Sequence, residues 1–142
     1  MDPREDISRR HFLIRSCASL GSAWLATHLA DIAGAQEHAH RAAISQTAVK
    51  FEFFTDLQAA ETEAIAAQII PTDDTPGAPE AGVIYLLNRA LATFAAADRT
   101  VFVAGLKELE KQTRKRFGMS KRFSELSSPQ QTEVLKGIEK TP

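Results

Sequence analysis

The chain has 142 residues, a single cysteine, and 17 Lys and Arg against 18 Asp and Glu, for a formal net charge of −1. That balance gives no reason to expect a polyanionic partner such as nucleic acid, and Cys17 alone excludes an internal disulfide, a Cys-based zinc site and a C-x-x-C-H haem attachment. The length suits one small domain with a modest core.

Ser8-Arg9-Arg10-His11-Phe12-Leu13 comes first and reads as a twin-arginine export signal. Paired arginines, Phe12 and Leu13, a weakly apolar stretch and Ala33-Gly34-Ala35 give the three-part layout of a cleavable signal. The uncharged run from Ser16 to Thr27 is too short and too poor in large apolar residues to span a bilayer, which takes roughly 20 residues. His28 and Asp31 interrupt it further. Cleavage after Ala35 makes residues 1–35 the signal and Gln36 the first residue of the mature chain; an uncleaved anchor is the alternative. Cys17 lies inside the signal, and Arg15 two residues before it does not suit a lipoprotein cysteine.

Residues 36–54 read as a flexible or extended lead, polar and Ala-rich up to Lys50 and then carrying Phe51, Phe53 and Phe54. The phenylalanines predict a short strand or an extended segment lying on the core. His38 and His40 form an H-x-H pair that offers two nitrogens to a metal, but no third ligand is near in sequence, so they read as solvated side chains.

A helical domain occupies residues 55–142. Thr55 is placed to cap a first helix, with Gln58 completing a capping box. Leu57, Ala60, Ala64, Ile65 and Ile69 keep helical spacing, and Pro71 stops the helix. Pro71 to Pro79 is a loop with three prolines and a glycine in nine residues. A second helix is predicted from about Glu80 to Ala96, with Val83, Leu87, Ala90, Leu91 and Phe94 as its apolar stripe. Asp98 is the expected cap of a third, carrying Phe102, Leu106, Leu109 and Phe117 on one side, with Gly118 as a left-handed stop. Ser128 is the expected cap of a fourth, with Pro129 in its first position, Gln131 completing the box, and Val134, Leu135 and Ile138 buried. The predicted fold is all-α, a small irregular domain of about four helices after a cleavable signal.

No G-x-G-x-x-G or Walker loop is present. Asp73 and Asp74 have two readings. As a pair they hold a cation or act as acid and base. As a turn they bond local amides, and two adjacent acids with Thr72 and Thr75 offer fewer oxygens than a calcium loop wants. The turn reading is preferred. A stiff polar loop loses little entropy on binding, so Pro71, Thr72, Asp73, Asp74, Thr75, Pro76 and Gly77 form a candidate partner-docking loop. Lys107, Lys111, Arg114, Lys115, Arg116, Lys121 and Arg122 make the most basic region. It reads as a solvated helix face with Glu110 and Arg114 as an i, i+4 pair, or as a surface for an anionic lipid or acidic partner. No residue is assigned as catalytic, cofactor-binding or metal-binding.

The stretch from Ala64-Ile65-Ala66-Ala67-Gln68-Ile69-Ile70-Pro71-Thr72-Asp73-Asp74-Thr75 through Pro76-Gly77-Ala78-Pro79-Glu80-Ala81-Gly82-Val83 resembles the hallmark segment of the gluconate 2-dehydrogenase subunit 3 family. The signal at Ser8 to Leu13, Phe123 with Leu126, and Gln130-Gln131 with Leu135 also resemble its pattern, so the resemblance runs from about Phe53 onward. It implies a non-catalytic small subunit that carries a large partner across the membrane by the twin-arginine translocase. That partner is a flavoprotein of the glucose-methanol-choline type with FAD, and a multihaem cytochrome c with haem c accepts the electrons. The implied location is the periplasm, membrane-associated through the partners. Members commonly continue past the fourth helix, whereas this chain stops at Thr141-Pro142, which reads as a short or truncated member.

Three functions are then in view: this partner subunit, a stand-alone enzyme using Asp73 and Asp74, and a periplasmic binding protein using the basic face. The first predicts an apolar patch left exposed after the helices pack, with Phe51, Phe53, Phe54 and exposed parts of the second predicted helix as candidates.

Overall fold

The computed structural model describes residues 22–45 and 50–139. Ser8, Arg9, Arg10, Phe12 and Leu13, expected as the export signal, lie outside them. Among the described residues five α-helices follow one another: α1 (Ser22–Ile44), α2 (Asp56–Ile69), α3 (Val83–Ala92), α4 (Arg99–Phe117) and α5 (Ser128–Glu139). Short 3-10 turns at Ala96–Asp98 and Phe123–Glu125 precede α4 and α5. No strand occurs among the described residues, so the chain is all-α as expected; Phe51 to Phe54 form neither strand nor helix, and the backbone bends at Glu52 and Phe53.

The additional helix is α1. The residues from Gln36, expected as a flexible lead, continue a helix that begins at Ser22 and ends at Ile44. Its buried face is made of Ala35, Ala39 and Ala42 rather than of large apolar residues. Alanine has the best helix propensity and, at i, i+4 and i+7, gives a smooth face that a search for bulky periodicity passes over. That face packs on α3. Gly82, in the left-handed conformation at φ 67°, opens α3 and makes the approach possible: a Cβ there would lie 2.8 Å from Ala43 Cβ and 3.1 Å from Ala39 O. Towards the start of α1, Trp24 stacks on His28 at 4.7 Å, and both meet the edge of Phe94.

Thr55 caps α2 as the sequence predicts. Its Oγ1 accepts from the Gln58 amide at 3.2 Å, and Gln58 Oε1 accepts from the Thr55 amide at 3.1 Å. The buried face is rotated from the expected stripe, however: Ala59 and Thr62 are buried, while Leu57 and Ile69 are exposed. Small residues let α3 and the Phe54 ring close onto α2 at Ala59.

α3 is shorter than expected. Glu80 is engaged in the preceding loop, and the left-handed Gly82 prevents an earlier start. At its far end Arg99 Nη2 donates to Ala92 O at 2.8 Å and Arg99 Nε donates to Leu91 O, so a guanidinium satisfies two orphan carbonyls. Asp98, expected to cap α4, makes no side-chain bond to the helix, because the backbone is already helical there. Gly118 does end α4, at φ 102° and ψ 158°, an extended positive-φ conformation rather than the left-handed helical one.

The start of α5 is displaced by one residue from expectation. Gln130, not Gln131, reaches back, its Oε1 accepting from the Ser127 amide at 3.0 Å, and Ser127 O accepts from the Gln131 amide at 2.9 Å. Gln131 is drawn inward instead. Its Nε2 donates to Phe123 O at 3.0 Å and its Oε1 accepts from Gln68 at 2.8 Å.

Two apolar clusters form the core. Phe54, Ala59, Ile84 and Leu91 make the first, with Phe51, Phe53, Tyr85 and Phe102 against them. Leu109, Phe123, Leu126 and Val134 make the second, with Ile65, Leu106 and Leu135 against them. Both α2 and α4 contribute to each, which ties the halves together.

Candidate functional site

The loop from Pro71 to Pro79 is bonded almost entirely to itself. Asp73 Oδ1 accepts from the Thr75 amide at 2.8 Å and from Thr75 Oγ1 at 2.9 Å, so this carboxylate shapes a turn. Thr72 Oγ1 donates to the Glu80 carboxylate at 2.8 Å, and the Gly77 amide donates to the same group at 2.9 Å. These donors, the Thr72 hydroxyl foremost, hold the Glu80 carboxyl below the ordinary Glu value. The Ala78 amide closes the base of the loop on Ile70 O at 2.9 Å.

Gly77 is where the loop crosses itself. A Cβ there would lie 2.6 Å from Thr72 N and 2.8 Å from Ile70 O and Pro71 C, all backbone atoms that cannot move aside. The outcome is a rigid clamp with Thr72, Asp73, Asp74, Thr75 and Pro76 outward and Gly77 and Ala78 buried beneath. Glu80, the residue that fastens the clamp, is absent from the sequence-level assignment. Its signal was its place three residues after Gly77, where its carboxylate can turn back onto the glycine amide.

Next to the clamp the surface is apolar. Ile69 is 71% exposed and Ile70 52% exposed, directly before Pro71. The patch expected at Phe51, Phe53 and Phe54 is not free. Phe54 is buried, Phe51 and Phe53 pack against the first cluster, and Asn88 Oδ1 pins the segment by accepting from the Phe53 and Phe54 amides at 2.9 and 3.3 Å. Arg99 also lies over the Phe53 ring at 5.6 Å.

Three of the seven cations of the basic region form ion pairs. Arg114 meets Glu110 at 2.6 Å, the expected i, i+4 pair, while Lys111 meets Glu108 at 3.1 Å and Arg116 meets Glu133 at 3.4 Å. Glu108 is held below the ordinary Glu value first by the Gln112 amide and then by Lys111. A groove of about 360 Å³ lies between α2 and α4, with Leu57 and Leu106 on its walls and Lys107, Lys121 and Arg122 on its rim. Glu61, which also lines it, is committed elsewhere: its carboxylate accepts from the Phe123 and Ser124 amides, each at 3.1 Å, and anchors the Phe123–Glu125 turn to α2.

His38 and His40 sit two residues apart on α1, His38 half-buried and His40 exposed. Residues at that spacing face different sides of a helix, so the pair does not converge on one ion. Among the described residues no group of three or more His, Cys, Asp or Glu is gathered for a metal. Ala33 and Ala35, the predicted cleavage residues, also lie on α1, the first exposed and the second buried. Among the described residues no helix is long and apolar enough to cross a membrane.

These features define a class: a small all-helical module whose most constrained surface element is a self-fastened proline loop beside exposed isoleucines. Residues 56–142, which include that loop and α2 to α5, match the gluconate 2-dehydrogenase subunit 3 family. The chain belongs to that family. No curated protein and no solved structure matches it.

Proposed function

We propose that the chain is the non-catalytic small subunit of a periplasmic, flavin-dependent sugar or sugar-acid dehydrogenase of the gluconate 2-dehydrogenase type. It supplies the twin-arginine signal at Ser8, Arg9, Arg10, Phe12 and Leu13 for export of the complex and supports assembly of the large subunit. The partner is an FAD-containing flavoprotein of the glucose-methanol-choline type, and a multihaem cytochrome c with haem c takes the electrons onward. Oxidation occurs in that partner.

The observation that carries this reading is the clamp with its apolar flank. Rigid polar groups beside Ile69 and Ile70 suit a protein interface, where a pre-shaped surface pays little ordering entropy and apolar area supplies the affinity. The acid-base reading of Asp73 and Asp74 is disfavoured, since Asp73 is bonded to its own turn. The basic-face reading is weakened by the internal pairs of Arg114, Lys111 and Arg116.

The test is a pull-down of the tagged native protein from periplasm and membranes, beside a strain carrying Arg9→Lys and Arg10→Lys. A flavoprotein that co-purifies from the first and stays in the cytoplasm of the second supports the escort role. A protein recovered alone, whose variant strands nothing but itself, overturns it.

A further inference from the structure

Ala33 and Ala35 form a cleavage signal only if a peptidase can bind both side chains at once. In an extended segment, residues two apart point to one side, so A-x-A presents two small groups to one enzyme surface. In a helix the same residues are about 200° apart. Here α1 runs unbroken from Ser22 to Ile44 and carries both. Ala33 faces outward and Ala35 is 1% exposed. The side chain next to the bond to be cut is therefore pressed into the fold.

The docking holds α1 on both sides of that bond. After it, Ala39 and Ala42 continue the buried face, and Gly82 gives α3 the clearance to receive Ala39 and Ala43. Before it, the Trp24 and His28 pair stands against Phe94. Freeing the Ala33-to-Gln36 segment requires breaking helical hydrogen bonds and exposing this interface, which is a local unfolding step.

We propose that the Ala35–Gln36 bond is a processing site gated by the docking of α1 on α3. Hydrolysis, in which water adds across the amide to leave the Ala35 carboxylate and the Gln36 amine, proceeds only from the state in which α1 is lifted and unwound. A chain that folds before transport keeps α1 whole, and a chain cut before docking loses the Trp24 and His28 contacts with Phe94. This inference rests on reading Ser8 to Ala35 as an export signal.

The full-length chain is incubated in mild detergent with purified bacterial signal peptidase, and products are identified by intact mass. A variant carrying Ala39→Glu and Ala42→Glu, which keeps good helix formers but places carboxylates in the interface, is treated alike. Cleavage after Ala35 is expected to be at least about tenfold faster in the variant, the ratio that a docking free energy of about 1.4 kcal/mol produces. Hydrogen exchange on both chains guards against a variant that has simply unfolded: the amides of residues 33–43 are expected to be protected in the wild type and to lose protection in the variant, while those of α2 to α5 stay protected in both. Equal cleavage rates, or wild-type amides exchanging as an unstructured segment, overturn the gating and leave the signal reading standing. If neither chain is cut, Ala35–Gln36 is no processing site, and the cleavage reading falls together with the proposal.

Discussion

Gly77 sets the shape of the candidate docking loop through what it lacks. Its neighbours within 3 Å of a notional Cβ are backbone atoms of Ile70, Pro71 and Thr72, so an added methyl must push the loop's two arms apart. Gly77→Ala is expected to lower stability by about 1–3 kcal/mol, in the range of overpacked sites, as read from urea midpoints; an unchanged midpoint would show that the loop is looser than its geometry. Glu80 gives a second, pH-dependent handle on the same clamp. Its folded pKa lies below the ordinary Glu value, so its contribution is fully present above that value and is lost as pH falls through the lower folded one. The Gly77 amide resonance is expected to titrate with a midpoint below the ordinary Glu range and to become insensitive in Glu80→Gln. Thr113 lies in the opposite situation. It is wholly buried, and its Oγ1 has no hydrogen-bond partner among the described residues. An isosteric Thr113→Val removes an unsatisfied hydroxyl, and a gain of about 1 kcal/mol is expected in the same denaturation assay.

At the scale of elements, the helix starts show what local chemistry can and cannot announce. Thr55 and Gln58 were legible because a capping box involves only residues three apart and exposed to solvent. The start of α5 offered two adjacent serines and two adjacent glutamines, so the local pattern fitted in either register. The tertiary fold chose between them: Gln131 was the glutamine that faced Phe123 O and Gln68 and bonded both. Gln131→Ala is therefore expected to cost about 1–3 kcal/mol, the loss of two buried side-chain hydrogen bonds, while Phe123 O keeps the Leu126 amide as a donor. Gln130→Ala, at the exposed cap, is expected to cost less than about 1 kcal/mol. Equal costs in thermal melts would restore the register read from sequence. The Asp98 cap failed for a related reason, since a 3-10 turn already carries the backbone into α4 and leaves no cap geometry for the side chain to fill. The proline loop, in contrast, was readable as a rigid turn from Asp73 and Thr75, while its fastening at Glu80 was hidden because that residue also looked like the first turn of a helix.

For the molecule as a whole, the all-helical class was legible from apolar spacing in α3 to α5, and α1 was not, because alanine carries almost no hydrophobic signal. A face of Ala35, Ala39 and Ala42 is only weakly apolar, and it is buried because Gly82 allows α3 close enough to cover it. This asymmetry has a consequence for cooperativity. α2 and α4 are shared by both core clusters, so α2 to α5 should unfold together. α1 packs on α3 alone among the principal helix pairs and buries only small side chains, so it should detach at lower free energy. The chain's one tryptophan, Trp24, reports on that docking through His28 and Phe94. In a urea titration of the full-length protein, the Trp24 fluorescence change is expected at lower urea than the loss of far-UV circular dichroism. Lifting α1 removes the edge contact of the indole with Phe94 and exposes that side of the ring to water while most helical hydrogen bonds persist. Coincident transitions would instead make α1 part of the same cooperative unit, with the undocking cost raised to that of unfolding the whole domain.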